Sequence, residues 1–236
     1  MTDEFFGKAD IHIHSEYSHD GFSPIEKILE RAKNSGMDLI AITDHNTIDG
    51  AKKAIELSGY FGIKVIMGEE IDTSAGDLIG IFIKDFISRG KSPLETAREI
   101  HKQGGLAIIP HPFNPLFLGG LSKKVVSEIF EEVDGIEVFN ANWTGAIGRK
   151  KTLKLNQSIF KLAPLGSSDA HIARQVGRAY TIFKGRNPED FYFAIKNKET
   201  QPGGISWTAA DKLLWLINLP KRFFKKPFSP NDFNKL

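Results

Sequence analysis

The sequence predicts an α/β fold, a closed or nearly closed barrel of largely parallel strands with helices outside it. Short β-rich runs alternate with amphipathic helical segments, the pattern of strands joined by right-handed crossovers. Histidines and acids gather just after those runs, at the strand edge where parallel α/β folds place their chemistry. A length of 236 residues suits one barrel-sized domain with a short appendage. An open doubly wound sheet is the alternative architecture.

The β-rich runs are Lys8–Ile13, Asp38–Ile42, Ile63–Met67, Leu78–Ile83, Leu106–Ile109, Gly135–Phe139, Pro164–Gly166 and Ala179–Phe183. Between them, Pro24–Ser35 carries Ile25, Ile28, Leu29 and Ala32 at helical spacing. Ser23 reads as its N-cap, Pro24 as its first residue and Gly36 as its stop. Ala51–Ser58, Pro93–Gln103, Lys123–Glu132 and Lys150–Lys161 repeat the theme. No clear helix precedes Leu78–Ile83, so one β-hairpin is expected to interrupt the alternation. The barrel is assigned to residues 1–200. Gln201-Pro202-Gly203-Gly204 reads as a break, and residues 201–236 as a basic amphipathic appendage.

Composition narrows the chemistry. A hydrophobic content of 41% is ordinary for a globular chain, and a net charge of +2 is no nucleic-acid signature. With no cysteine, disulfides are excluded and any metal must be held by nitrogen and oxygen. The N-terminus has no basic start followed by an apolar stretch, so no signal peptide is expected and the expected location is cytoplasmic. The run Leu213 to Ile217 is too short to span a bilayer.

The polar clusters follow the strands in order. In Asp10-Ile11-His12-Ile13-His14, strand period puts both imidazoles on one face, as in a metal claw or simply a solvated strand face. His19-Asp20-Gly21 offers Asp20 as a ligand or as a turn residue, with His19 facing solvent. Thr43-Asp44-His45-Asn46 ends a buried strand, with His45 as ligand and Asp44 behind it, or helix capping as the plainer role. Gly68-Glu69-Glu70 supplies a glutamate able to bridge two cations. His111 lies between two prolines that fix its backbone. Glu137-Val138-Phe139-Asn140 offers Glu137 or Asn140, and Ser168-Asp169-Ala170-His171 places an acid and an imidazole two residues apart. Such clusters at one strand end after another exceed the needs of one cation. Two or three divalent cations are implied, and nitrogen and oxygen donors without thiolate suit Zn²⁺, Mn²⁺ or Fe²⁺. His101, mid-helix, reads as structural, and Asp10 as a partner for a neighbouring ligand or for backbone donors.

The ordered set DIHIHS, SHDG, TDHN, GEE, HP, EVFN and SSDAH resembles the PHP family, named for polymerase and histidinol phosphatase domains. The likeness runs from about Ala9 to Phe183, and the stretch from Asn140 to Phe183 resembles the PHP-associated subgroup. The resemblance implies a distorted (β/α)7 TIM-like barrel with a trinuclear site and phosphoesterase activity. Carried over by position, His12, His14, Glu70 and Asp169 hold the first cation. Glu70 bridges to the second, with His111 and, in place of a histidine found in many members, Asn140. Asp20, His45 and His171 hold the third. Glu70 is chosen over Glu69 because the family's glutamate directly precedes an apolar residue, here Ile71.

The expected reaction is hydrolysis of a phosphomonoester or phosphodiester by a water that the cations activate, with Asp169 or His171 moving a proton. A small phosphorylated molecule, a nucleotide or a short oligonucleotide, is the expected substrate. Arg149, Arg174 and Arg178 follow the Asn140 and His171 motifs and are candidate phosphate-binding groups, or plain surface charges. In the appendage, Trp207 and Leu213 to Ile217 precede Lys221-Arg222-Phe223-Phe224-Lys225-Lys226. It is expected to pack its apolar face on the barrel, with nucleic acid or a membrane surface as other contacts. Two further readings stand beside the phosphoesterase. One is metal-dependent hydrolysis of a carboxylic or carbamate ester, the other a non-catalytic module that keeps the metals for stability.

Overall fold

The computed structural model describes residues 5–114, 119–145 and 147–220. Nine strands form one sheet: β1 Phe6–Asp10, β2 Leu39–Ile42, β3 Lys64–Thr73, β4 Gly76–Ile81, β5 Leu106–Ile109, β6 Gly135–Asn140, β7 Ala163–Ser167, β8 Ala179–Lys184 and β9 Thr200–Gly204. Their order across the sheet is β7-β6-β5-β4-β3-β2-β1-β8-β9. β1, β2 and β3 run parallel, as do β5, β6 and β7. β4 is antiparallel to both neighbours and forms the anticipated hairpin with β3. β8 runs antiparallel to β1 and follows β7 through residues 168–178, which hold the 3-10 turn Ala173–Gln175 and no crossover α-helix.

The sheet curls into a nearly closed barrel. Side chains span the seam: the Thr181 hydroxyl donates to Gly166 O at 2.9 Å and accepts from Gly166 N at 3.0 Å, and the Thr200 hydroxyl donates to Pro164 O at 3.0 Å. A single bridge from Ile13 to Ala170 closes the upper end. Both faces of the sheet are covered. On β2, Leu39 and Ala41 join the central apolar cluster, whereas Ile40 and Ile42 pack with residues of the first two helices.

Helices α1 Ile25–Asn34, α2 Asp49–Phe61, α3 Pro93–Lys102, α4 Lys123–Ile129, α5 Arg149–Leu155, α6 Pro188–Lys196 and α7 Ala209–Asn218 lie outside. Most match the amphipathic segments. α1 buries Ile25, Ile28, Leu29 and Ala32 and stops before Gly36, whose φ of 70° glycine alone adopts freely. Ser23 does not cap it. Pro24 occupies the cap, and the Ser23 hydroxyl accepts the N–H of Ala173 instead. α6, absent from the expected elements, carries its own start signal in Asn187-Pro188 with Asp190 completing a capping box.

Two expectations about the C-terminal stretch change. Gln201-Pro202-Gly203-Gly204 is sheet, not linker: β9 pairs with β8, and the expected boundary at Gln201 falls inside it. The following helix, α7, attaches through Asp211 and Trp215, with Trp207 in the segment just before it. Asp211 is buried and paired with Arg174 and Arg178, Trp207 donates to Ser168 O at 3.0 Å, and Trp215 packs beside it. Leu213, Leu216 and Ile217 stay more than half exposed, so the apolar residues do not form the packed face anticipated. The basic run from Lys221 to Lys226 lies outside the described residues. Among the described residues no helix is long and apolar enough to cross a membrane.

Asp134 ties the outer helices α3 and α6 to the sheet. Its carboxylate accepts from Ala107 N–H at 2.9 Å and pairs with His101 at 2.7 Å and Lys196 at 3.0 Å. His101 is thereby structural, as expected. Burial raises the Asp134 carboxyl, but these donors hold it below the usual carboxylate range. Asp134→Ala is expected to cost about 2 kcal/mol, since it strands a backbone donor, the His101 ring and the Lys196 ammonium. The wild-type advantage should be present above the ordinary carboxylate pKa of 3.8 and fade as the pH falls below it. Chemical denaturation of both proteins across this range checks both statements.

Candidate metal centre

The strand ends converge as the alternation requires. β1 ends at Asp10, and the chain carries His12 and His14 just beyond it over the barrel mouth. Their Nε2 atoms are 3.1 Å apart. Glu70 rises from β3 between them, its Oε2 3.1 Å from His12 Nε2, 3.2 Å from His14 Nε2 and 3.4 Å from His45 Nε2. Its other oxygen, Oε1, faces His111 Nε2 at 3.1 Å. Asp169, beyond β7, lies 3.6 Å from both His12 and His14. Asp20 faces His171 at 3.3 Å and His45 at 3.5 Å. One nest therefore unites every expected ligand except Asn140, and all of them but His45 are buried.

Strand period decides between the two glutamates. Glu70 faces the nest, whereas Glu69 points to the opposite face, where it accepts the N–H of Ile87 at 2.9 Å. Two ligands hold unusual backbone conformations. His111 has φ 27° and Asp169 φ 50°, left-handed values that non-glycine residues seldom adopt and that cluster at functional sites.

A second layer orients the imidazoles. Glu137 Oε1 pairs with His12 Nδ1 at 2.9 Å and accepts the Ser167 hydroxyl, and Glu137 Oε2 accepts His111 N–H at 2.8 Å. Asp72 meets His45 Nδ1 at 3.0 Å. His171 Nδ1 donates to Asp169 O at 2.9 Å, which turns its Nε2 toward Asp20. The rings of His12, His45 and His171 are thus fixed through one nitrogen and offer the other, the usual arrangement of ligating histidines. Asp44 serves at one remove. It binds Ser15 N and the Ser15 hydroxyl, each at 2.6 Å, and so anchors the loop after His14. Asp10 satisfies backbone donors, Ser168 N at 3.0 Å and Gly177 N at 2.8 Å, and burial pushes its carboxyl up to about 6.

Asn140 departs from expectation. Its Oδ1 accepts Asn142 N–H at 2.9 Å, and its Nδ2 donates to Glu137 at 2.8 Å and Asp169 at 3.3 Å. In this arrangement the amide faces the acids with its donor and positions the Glu137 and Asp169 carboxylates, with its oxygen turned to the backbone of Asn142. The arginines also turn elsewhere. Arg149 stacks on Phe139 at 3.6 Å and donates to Asn140 O and Ser206, each at 3.1 Å. Arg174 and Arg178 pair with Asp211 at 3.1 Å and 2.9 Å. All three brace the α7 side of the barrel instead of reaching the mouth.

The nest opens into a cleft of about 700 Å³ lined by Asp20, His45, Asp77, His171, Trp215 and Leu219 among others. No lysine or arginine is among the described residues that line it. Asp77 and Trp215 are absent from the expected site. Asp77 had a signal: an acid in the otherwise apolar strand Gly76–Ile81, which the hairpin register sets opposite Asp72. Trp215 had none, because its place depends on how α7 docks.

Electrostatics fit a cation centre. Burial disfavours the imidazolium of His12 and of His45, but neighbouring carboxylates, Glu70 foremost, hold both well above the ordinary value. Burial would likewise raise Glu70 and Asp20, yet the surrounding histidines hold both well below the usual range. His14 is the exception: burial takes it down to about 4, the Asp20, Asp169 and Glu70 carboxylates failing to offset it. Burial, with Glu70 beside it, pushes Asp77 up to about 7. Several trios, among them His12–His14–Glu70, His12–His111–Asp169 and His14–Asp20–His45, keep their ligand atoms within 4.8 Å of one another. The nitrogen and oxygen donor set, fixed by its second layer, suits divalent transition metals.

The molecule is thus a distorted α/β barrel with a buried nest of histidines and acids at its mouth that could hold metal ions. The chain belongs to the PHP domain family, whose model matches residues 10–174, and the PHP-associated model matches residues 158–200. An uncharacterized protein of Methanocaldococcus jannaschii is 43% identical over 145 residues, covering 57% of this chain and 82% of that protein. The phosphoribosyl 1,2-cyclic phosphate 1,2-diphosphodiesterase of Eggerthella lenta is 39% identical over 62 residues, covering 26% of this chain and 23% of that enzyme. A two-domain protein of Bacteroides vulgatus, described as containing a predicted PHP-like metal-dependent phosphoesterase, superposes with a TM-score of 0.71 at 22% identity. That match covers 87% of this chain and 66% of the other.

Proposed function

We propose that the protein hydrolyses phosphoric esters with two or three divalent cations held at the barrel mouth. One observation carries the reading: the two oxygens of Glu70 face different imidazoles, His111 on one side and His12, His14 and His45 on the other. A carboxylate so placed would be shared between the two halves of a multinuclear site, one oxygen to each. His12, His14, Glu70 and Asp169 are assigned to the first, Glu70 and His111 to the second, and Asp20, His45 and His171 to the third.

When bound, such cations lower the pKa of water toward neutrality and neutralise phosphate oxygens. The chain's own residues do the rest. Glu137 and Asp72 orient His12 and His45, and the barrel walls exclude bulk water from the buried nest. His171 lines the cleft and Asp169 lies buried beside it, and both are assigned to proton movement. Trp215 and Leu219 form an apolar wall of the cleft. That wall suits a nucleoside, so a nucleotide or short oligonucleotide is the proposed substrate class. The Eggerthella lenta enzyme, named for a cyclic phosphodiester, supports the same ester chemistry.

The carboxylic or carbamate ester reading is favoured by one observation, the lack of a lysine or arginine lining the described cleft. A fixed cation would be expected for a free phosphate group. The test compares the Mn²⁺-loaded protein on p-nitrophenyl phosphate, bis-p-nitrophenyl phosphate, p-nitrophenyl acetate, nucleotides and short RNA. Phosphate esters turned over at least tenfold faster than the acetate are expected. The reverse order would replace this assignment with the carboxylic ester one.

A further inference from the structure

We propose that the outward side of α7 docks the protein on an anionic lipid surface, with lysines of α5 and the basic run after α7 supplying the charge. The proposal stands apart from the metal centre and does not depend on it. At about 3.6 residues per turn, Ala209, Ala210, Leu213, Leu214, Leu216 and Ile217 share one side of α7. All of them are exposed, and Leu213, Leu216 and Ile217 reach 59%, 54% and 60%. The opposite side holds Asp211 and Trp215, which attach the helix to the barrel. A helix on a protein surface ordinarily turns its charges outward. The outward side of α7 carries none, and Lys212 stands only at its margin. Single exposed leucines are common, but a whole helix face of them marks a surface that something covers.

The charge beside that face identifies the cover. α5 contains no acid, and its Lys150, Lys151 and Lys154 are exposed. Its first residue adjoins the segment entering α7, since Arg149 donates to the Ser206 hydroxyl at 3.1 Å. Just past α7 the sequence continues Lys221-Arg222-Phe223-Phe224-Lys225-Lys226, cations around two aromatic residues. An aliphatic face flanked by cations and aromatics is the composition of segments that lie in a bilayer interface. Hydrocarbon takes the leucines, and anionic headgroups take the lysines and arginines. RNA would satisfy the cations and leave the aliphatic face in water. A second copy of this chain would cover the face but bring like charges together. Because Trp215 lines the cleft from the other side of α7, docking holds the barrel mouth beside the headgroups.

Flotation of the full-length protein with vesicles gives the test, using phosphatidylcholine alone and an equal mixture with phosphatidylglycerol. Capture by the mixed vesicles is expected to be at least about tenfold stronger, since each basic residue at an anionic surface adds roughly fivefold. It should weaken as salt rises. Leu213→Gln with Ile217→Gln changes two side chains that are more than half exposed, so Tm should stay at the wild-type value while capture falls about tenfold or more. Lys150→Gln with Lys154→Gln, on α5, should weaken capture by the mixed vesicles alone, which keeps the test independent of how α7 folds. Wild type captured by neither vesicle overturns the proposal, as does capture that both variants retain in full. Sedimentation velocity and short-RNA binding separate the other covers. A dimer that the α7 variant dissolves, or RNA binding that the α5 variant loses, without vesicle capture, would assign these residues to a second copy or to nucleic acid and overturn the lipid assignment.

Discussion

Glu70→Gln is expected to abolish turnover, lowering kcat by roughly 10³-fold or more, with the fold retained. The substitution keeps the shape of the side chain and removes the charge between His111 on one side and His12, His14 and His45 on the other. An amide has one acceptor oxygen, so it cannot serve both sides at once. Metal content should fall together with activity, because the loss lies in holding the cations. The parallel change at the neighbouring acid is the control. Glu69 faces away from the nest and binds Ile87 N–H, so Glu69→Gln should leave kcat within a few-fold of wild type. Equal losses from both substitutions would show that strand β3 matters for folding only.

Metal removal should have the second largest effect. Chelation is expected to lower Tm by about 10 °C or more, because each tightly held cation adds about 4 kcal/mol and a chain of this size shifts by about 2–4 °C per kcal/mol. The sign of the pH dependence follows from the histidines. Without cations, Glu70 and its neighbours hold His12 and His45 well above their ordinary value of 6.5, burial notwithstanding. That contribution is fully present below the ordinary value and is lost as pH rises through the raised one. Cations bind the deprotonated rings, so their contribution grows over the same range. The Tm gap between loaded and stripped protein should therefore widen from about pH 6 to about pH 8. A constant gap would show that no histidine ligates.

What the sequence made legible was local and periodic. His12 and His14 share a face because strand period is two, whereas Glu70 was chosen over Glu69 through the family resemblance alone and is separated from it in the structure by alternation. The hairpin of β3 and β4 showed in the missing helix before Leu78. The failures share a physical cause: the partner of each side chain lies far away in sequence. Asn140 presents its nitrogen because Asn142 N–H occupies its oxygen and two distant acids receive its donors. Arg174 and Arg178 turn from the site because Asp211, more than thirty residues on, is buried against them. Gln201 to Gly204 looked like a break by composition, yet β8 offers an edge that even a Pro-Gly-Gly strand can pair with. Asp77 was passed over because its meaning comes from hairpin register, not from its neighbours.

The most direct measurement is an anomalous difference map from crystals grown with Mn²⁺. It should show two or more peaks in the nest, with one on each side of the Glu70 carboxylate, the nearer ones within ligand distance of His12, His14 and His111. A map with a single peak, or with none among these side chains, would contradict a multinuclear centre at the barrel mouth.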